Sequence, residues 1–239
     1  MTLNPKTLRD NLDLLESIEK ATLRLVVQAI DDFRNQASEM FAEEHDLVAD
    51  IGEDITREAI DRLGMSVIPV RLFGKMDYKR ARYLFLPEFA VRQALFIDSK
   101  AEATSGQRTA TIQTAQTSMK IRQKRAGTVI EELGKLPTII EKEGQHLLAT
   151  TVFVKYNYEE ILTAEKRLES ISILCLPNGL LQERYNPDAH DTIWLVGRNA
   201  PSRDEAFRVR ISLPRLKQKA KWRVQYMTLT SLLPFSWDE

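Results

Sequence analysis

From residue 8 to residue 41 the apolar positions Leu12, Leu15, Ile18, Leu23, Val26, Val27, Ile30 and Phe33 recur at mostly three- and four-residue steps, with no Pro or Gly between them. Such steps stack side chains on one side of an α-helix, so the stretch predicts one long helix or two abutting ones. A further helix is expected around Ile55, Ala59, Ile60 and Leu63, with Asp54 or Thr56 as its cap and Gly64 as its stop. The pattern then changes. Residues 66–73, 77–85 and 91–100 are short stretches rich in β-branched and aromatic residues, separated by Gly74 and Pro87, and predict a strand meander. Residues 101–119 are poor in large apolar groups and rich in Thr, Gln and Ser, which reads as a loop followed by a polar helix.

Mixed elements continue through the second half. A strand is expected at 151–156, a helix at 158–168, a strand at 170–176 and a turn at Pro177-Asn178-Gly179, followed by strands at 192–196, 205–213 and 222–229. The sum is an α/β fold with a long N-terminal helix. No internal repeat, low-complexity tract or Gly/Ser linker divides the chain, so residues 1–239 are expected to form one domain.

Composition narrows the classes without choosing one. At 43% hydrophobic and 28% charged residues over 239 positions, the chain has the balance of a folded protein and not of a disordered one. No apolar run approaches the roughly 20 residues of a membrane span, and the polar start lacks a signal-peptide core, so a cytoplasmic protein is expected. Cys175 is the only cysteine, and the histidines at 45, 146 and 190 are scattered, which rules out a thiolate or imidazole metal cage. A metal, if used, must be held by oxygen. Net charge is zero, but its distribution is uneven: residues 39–61 hold nine acidic side chains against Arg57, and residues 198–223 hold nine basic ones against Asp204 and Glu205.

The sharpest local feature is Phe96-Ile97-Asp98-Ser99-Lys100 at the end of an apolar strand. A two-residue period puts Phe96, Asp98 and Lys100 on one face and Ile97 and Ser99 on the other. Asp77, on the preceding strand of the proposed meander, is a candidate to share a ligand with Asp98. Two carboxylates and a lysine suit phosphodiester hydrolysis. The carboxylates are hard oxygen ligands for Mg²⁺, and the lysine can orient water and stabilise charge on phosphorus. The pattern is short, and Asp77-Tyr78-Lys79 satisfies part of it a second time. An edge-strand salt bridge is the ordinary alternative. Glu53 is a possible additional acid for a second metal, its bland role being to cap the following helix.

Residues 205–213 alternate: Phe207, Val209, Ile211 and Leu213 face one way, Arg208 and Arg210 the other with Ser212. Two guanidinium groups about 7 Å apart on a strand can address guanine edges in a DNA groove. Arg198 and Arg203 before the strand, and Lys217, Lys219, Lys221 and Arg223 after it, fit DNA-binding contacts to phosphates. A solvated strand face with locally matched charges is the alternative.

Taken together, Asp77-Tyr78-Lys79-Arg80, Asp98-Ser99-Lys100, Glu53-Asp54-Ile55-Thr56, Glu16-Ser17-Ile18-Glu19-Lys20, Arg184-Tyr185-Asn186-Pro187-Asp188 and Arg208-Val209-Arg210 resemble, in the same order, the SfiI family of type II restriction endonucleases. The resemblance spans most of the chain and is weakest over residues 103–150. It implies a PD-(D/E)XK nuclease fold, with a mixed central sheet flanked by helices. It also implies Mg²⁺-dependent cleavage of double-stranded DNA at an interrupted GC-rich palindrome of the type GGCCNNNNNGGCC, as part of restriction-modification, by a homodimer or homotetramer. Asp77, Asp98 and Lys100 take the family's catalytic places, the two aspartates as metal ligands. Arg208 and Arg210 take those of base-reading arginines, and Arg198 falls where a relative carries a guanine-contacting lysine. Two rivals stand beside this reading: a structure-specific or repair nuclease of the same fold, and a non-catalytic DNA-binding protein.

Overall fold

The structure is a computed structural model that describes residues 2–43, 48–68, 81–104, 109–162, 165–195, 209–229 and 234–239. The N-terminal stripe forms two helices, α1 (Leu12–Asp32) and α2 (Arg34–Glu43). Asn11 starts α1 by accepting a hydrogen bond from the Leu14 amide at 3.1 Å, and the predicted Leu15, Ile18, Leu23, Val26, Val27 and Ile30 are all buried. Helix α3 (Val48–Asp61) begins earlier than expected, so Asp54 and Thr56 lie inside it and cap nothing. Its end is as read: Gly64, just beyond, adopts φ +65°, a left-handed conformation that glycine tolerates best.

The meander follows as β1 (Arg82–Leu86) and β2 (Val91–Ala103), antiparallel to one another. The expected segment at 66–73 enters the structure as a bridge between Val67 and Arg82; residues 69–80 lie outside the described residues. Residues 101–119 correct the polar-helix expectation. Strand β2 runs on to Ala103, β3 (Thr109–Ile112) is a strand, and among the described residues of this stretch only a short 3-10 turn at Thr114–Gln116 is helical. Strands β4 (Ile121–Arg125) and β5 (Thr128–Glu132) make a hairpin, and β6 (Ile139–Lys142) leads into the long β7 (Gln145–Leu162) and β8 (Glu165–Leu176).

The helix expected at 158–168 is absent, because that segment is the far end of the β7–β8 ladder. Its Glu, Lys, Arg and Leu content favours a helix locally, but strand pairing sets Tyr158 against Leu168, Glu159 against Arg167 and Glu160 against Lys166. Opposite charges thus meet across the hairpin, with Arg167 Nη2 2.8 Å from Glu159 Oε2. At the other end of β8, Pro177-Asn178-Gly179 leads into a 3-10 turn at Gly179–Leu181. Glycine is required there by space: a Cβ on Gly179 would lie 2.2 Å from the Ser118 carbonyl oxygen.

The chain closes with α4 (Gln182–Tyr185), β9 (Trp194–Leu195), β10 (Val209–Ser212), α5 (Leu213–Lys219) and β11 (Val224–Thr228). The strand read at 205–213 ends at Ser212, whose hydroxyl accepts from the Arg215 amide and starts α5, so Leu213 is helical. The main sheet runs β1-β2-β7-β8-β11, with β6 also on β7; β2 and β7 are parallel and the other pairs antiparallel. A mixed sheet flanked by helices therefore stands as expected. Strands β3, β10 and β9 make a smaller antiparallel sheet. Among the described residues no helix is long and apolar enough to cross a membrane.

Candidate active site

Strand β2 carries different chemistry on its two faces. Val91, Leu95, Ile97 and Ala101 pack into the main core with α1 and α3, whereas Ala94 and Phe96 join a second apolar cluster with Ile68, Ala81, Leu147 and Ala149. On that second face the strand then turns polar at two-residue steps, with Asp98, Lys100 and Glu102. This polar end is also the C-terminal end of the parallel β2–β7 pair, the edge at which open α/β sheets place ligands. Asp98 is 2% exposed, and its Oδ2 lies 3.5 Å from Nζ of Lys100, whose side chain is 45% exposed. A buried carboxylate is thus joined to an ammonium at the surface, in the face pairing that the strand period predicts.

Behind this pair the strand is fastened to α3. Ser99 Oγ donates to Thr56 Oγ1 at 2.8 Å, and Thr56 Oγ1 is 2.8 Å from the Tyr156 hydroxyl. Burial pushes the Tyr156 phenol well above its ordinary range, so this chain of hydroxyls stays protonated. Gly52 permits the close approach, since a Cβ there would sit 3.1 Å from the Tyr156 ring. Between α3 and β2 lies a cavity of about 300 Å³ lined by Glu53, Thr56, Arg57, Arg82, Ile97 and Ser99, among others. Glu53 thus shares this cavity with Ile97 and Ser99, the residues on either side of Asp98 in the strand.

Asp77, Arg198, Arg203 and Arg208 lie outside the described residues. The chain on either side of the Asp77 stretch is defined: the Ile68 amide donates to the Ala81 carbonyl at 2.9 Å, and both residues pack with Phe96. Arg210 sits on the central strand of the small sheet, opposite Thr111 and Leu195, with Val209 and Ile211 fully buried beside it. Its Nε is buried and has no hydrogen-bond partner among the described residues. Lys217 pairs with Asp238, and Lys219 with Asp191 at 2.6 Å. Arg215 donates to the Thr192 and Trp194 carbonyls, and Arg223, expected at a phosphate, is instead fully buried against Glu19. The basic cluster counted in the sequence is thus partly neutralised within the chain.

Two charged residues escaped the sequence reading. Lys155 on β7 is 2% exposed and pairs with Glu102 at 2.5 Å. A lysine inside Val152-Phe153-Val154-Lys155-Tyr156, a run otherwise buried and apolar, was the available signal.

The family model described as "Type II restriction enzyme SfiI" matches residues 31–227. The chain belongs to the SfiI family. Type II restriction enzyme SfiI of Streptomyces fimbriatus is 34% identical over 229 residues, covering 90% of this chain and 84% of that enzyme. The crystal structure of tetrameric SfiI bound to cognate DNA superposes with a TM-score of 0.81 at 30% identity, covering 98% of this chain and 91% of the other. The restriction endonuclease BglI, solved on its DNA recognition sequence, shares the fold with a TM-score of 0.76 at 17% identity, over 95% of this chain and 94% of the other. As an SfiI-family member the chain is a restriction endonuclease.

Proposed function

We propose that this SfiI-family enzyme hydrolyses double-stranded DNA at an interrupted GC-rich palindrome of the GGCCNNNNNGGCC type, using Mg²⁺. The observation that carries the reading is the buried Asp98 carboxylate beside the Lys100 ammonium, at the polar end of β2. Asp98 and Asp77 are the metal ligands in this reading. Ala81 packs beside Phe96, and the four residues from Ala81 back to Asp77 can span up to about 14 Å, which supports a common site. Among the described residues no three His, Cys, Asp or Glu side chains gather into a metal cage. Mg²⁺ takes one or two carboxylates and completes its shell with water and substrate phosphate, which fits a pair of aspartates. Cys175, buried and with its thiol pushed up by burial, offers no thiolate. A bound divalent ion supplies Lewis-acid polarisation of the phosphate and lowers the pKa of water.

The protein's own part follows from the geometry. Asp98, fixed on a strand in the sheet, would hold the ion at a set place on the sheet's edge. Lys100, at the surface end of the pair, orients the attacking water in line with the leaving oxygen and stabilises charge developing on phosphorus. The products carry 3′-hydroxyl and 5′-phosphate ends. A palindromic site calls for a two-fold protein, so the working form is a homodimer or, as for the tetrameric relative, a homotetramer. We read residues 1–239 as one endonuclease domain acting in the cytoplasm. Digestion of a fully sequenced viral DNA, with Mg²⁺ or with EDTA, tests this directly. Discrete fragments ending within one interrupted GC-rich palindrome are expected with Mg²⁺ and none with EDTA; cutting without a fixed site would overturn it.

Arg210 is given a reading role by its place on β10, where it is partly exposed between the fully buried Val209 and Ile211. Arg210→Ala is expected to cost about 1–3 kcal/mol of discrimination at one guanine. Competition binding with single-base variants of the site measures it. Equal weakening on random DNA would assign Arg210 to the phosphates instead.

A further inference from the structure

Lysine 100 stands between two acids on one face of β2. Asp98 precedes it by two residues and Glu102 follows it by two, each about 7 Å away along the strand. A four-carbon stem can swing in either direction, so such an ammonium has two competing ion pairs. In the structure Lys100 Nζ lies 3.5 Å from Asp98 Oδ2, while Glu102 Oε2 lies 2.5 Å from Lys155 Nζ. Lys155 occupies β7 directly opposite Lys100 in the parallel register, which puts its side chain on the same face.

The two lysines differ in exposure. Lys155 is 2% exposed and so held by its surroundings, whereas Lys100 is 45% exposed. The neighbouring positions continue a polar patch: Asn157, opposite Glu102, donates to the Ser170 and Ser172 hydroxyls at 3.2 and 3.4 Å. Glu102 is therefore met by a cation built into the sheet.

We infer that Lys155 is a positioning residue for DNA cleavage: by engaging Glu102 it removes the competing acid and keeps the Lys100 ammonium on the Asp98 side. The inference rests on the proposed role of Asp98 and Lys100. It gives Lys155 no contact with DNA.

Single-turnover cleavage and DNA binding in EDTA, measured on four variants with a thermal-unfolding control, test it. Lys155→Met frees Glu102 to draw Lys100 away. Its cleavage rate is expected to fall by about tenfold or more, with binding unchanged, as is usual for supporting residues around a metal site. Glu102→Gln alone and Lys155→Arg are expected to cleave within about threefold of the parent, and the double variant Lys155→Met/Glu102→Gln to recover to that level, because the competitor is gone. Recovery in the double variant, set against a folded Lys155→Met, is the decisive outcome; where Lys155→Met does not fold, Lys155→Gln takes its place in the same comparison. Parental cleavage by Lys155→Met, an inactive folded double variant, or loss of cleavage in Glu102→Gln alone would each overturn the inference. A parent that fails to cleave, or an Asp98→Asn variant that cleaves normally, would instead count against the proposed site.

Discussion

Asp98→Asn is expected to abolish cleavage, lowering the rate by at least about a thousandfold, while site-specific DNA binding stays near the parental level. The change is nearly isosteric, so the 2%-exposed position keeps its packing. On the proposed reading, what disappears is a full negative charge and one hard oxygen ligand, so the ion whose Lewis-acid effect would be worth several kcal/mol is held less well. The loss reaches Lys100 too, because the 3.5 Å ion pair that holds its ammonium on this side depends on that charge. Cleavage and gel-shift assays on one duplex separate the two effects. A non-catalytic DNA-binding protein would show no change in either assay, and a structure-specific nuclease would lose cutting without having had a fixed site to bind.

The second large effect lies away from the site, where α1 is joined to the end of the sheet. Glu19 and Arg223 are both fully buried and paired at 2.7 Å, although 204 positions separate them. Glu19 also accepts the Asn178 amide at 2.8 Å, and the Arg223 guanidinium stacks 4.5 Å from the Tyr185 ring and 4.3 Å from that of Trp222. Burial pushes the Glu19 carboxyl above its usual range, against the pull of Arg223 and the Asn178 amide. Two such ions tolerate each other's company and little else. Glu19→Ala leaves the guanidinium buried without its main partner and is expected to cost about 3–5 kcal/mol. Replacing both, as Glu19→Leu with Arg223→Met, is expected to cost much less, since no buried charge is left alone. Urea midpoints at constant m-value measure both variants. A Glu19→Ala loss below about 1 kcal/mol would mean that water reaches the guanidinium and that the pair is not a structural anchor.

These two sites differ in how far the sequence exposes them. Asp98 and Lys100 share a face because a strand alternates, and Ile97 and Ser99 turn to α3 for the same reason. That argument needs only neighbours in the chain, as does the apolar stripe of α1. Glu19 gave no such signal: on periodicity it is one more polar position beside Ile18, and only the arrival of Arg223 explains its burial. The segment at 158–168 misled for a related reason, its helix-favouring composition being overruled by a ladder that extends from the buried part of β7 and β8. Likewise β3 becomes a strand through β10, with Ile112 paired to Val209 nearly a hundred positions away.

The amino-acid order by itself determined the helical stripe, the mixed α/β class, the pairing of Asp98 with Lys100 on one face, and the resemblance to the SfiI family that the comparisons bear out. Only the tertiary structure decided that Glu53 shares a cavity with Ile97 and Ser99, that Lys217 and Lys219 are matched by acids of the same chain, and that Lys155 engages Glu102. The physical reason is range. Periodicity and local charge are set by residues a few positions apart, whereas burial, ladder partners and the neutralisation of a charge are set by whatever the fold brings alongside.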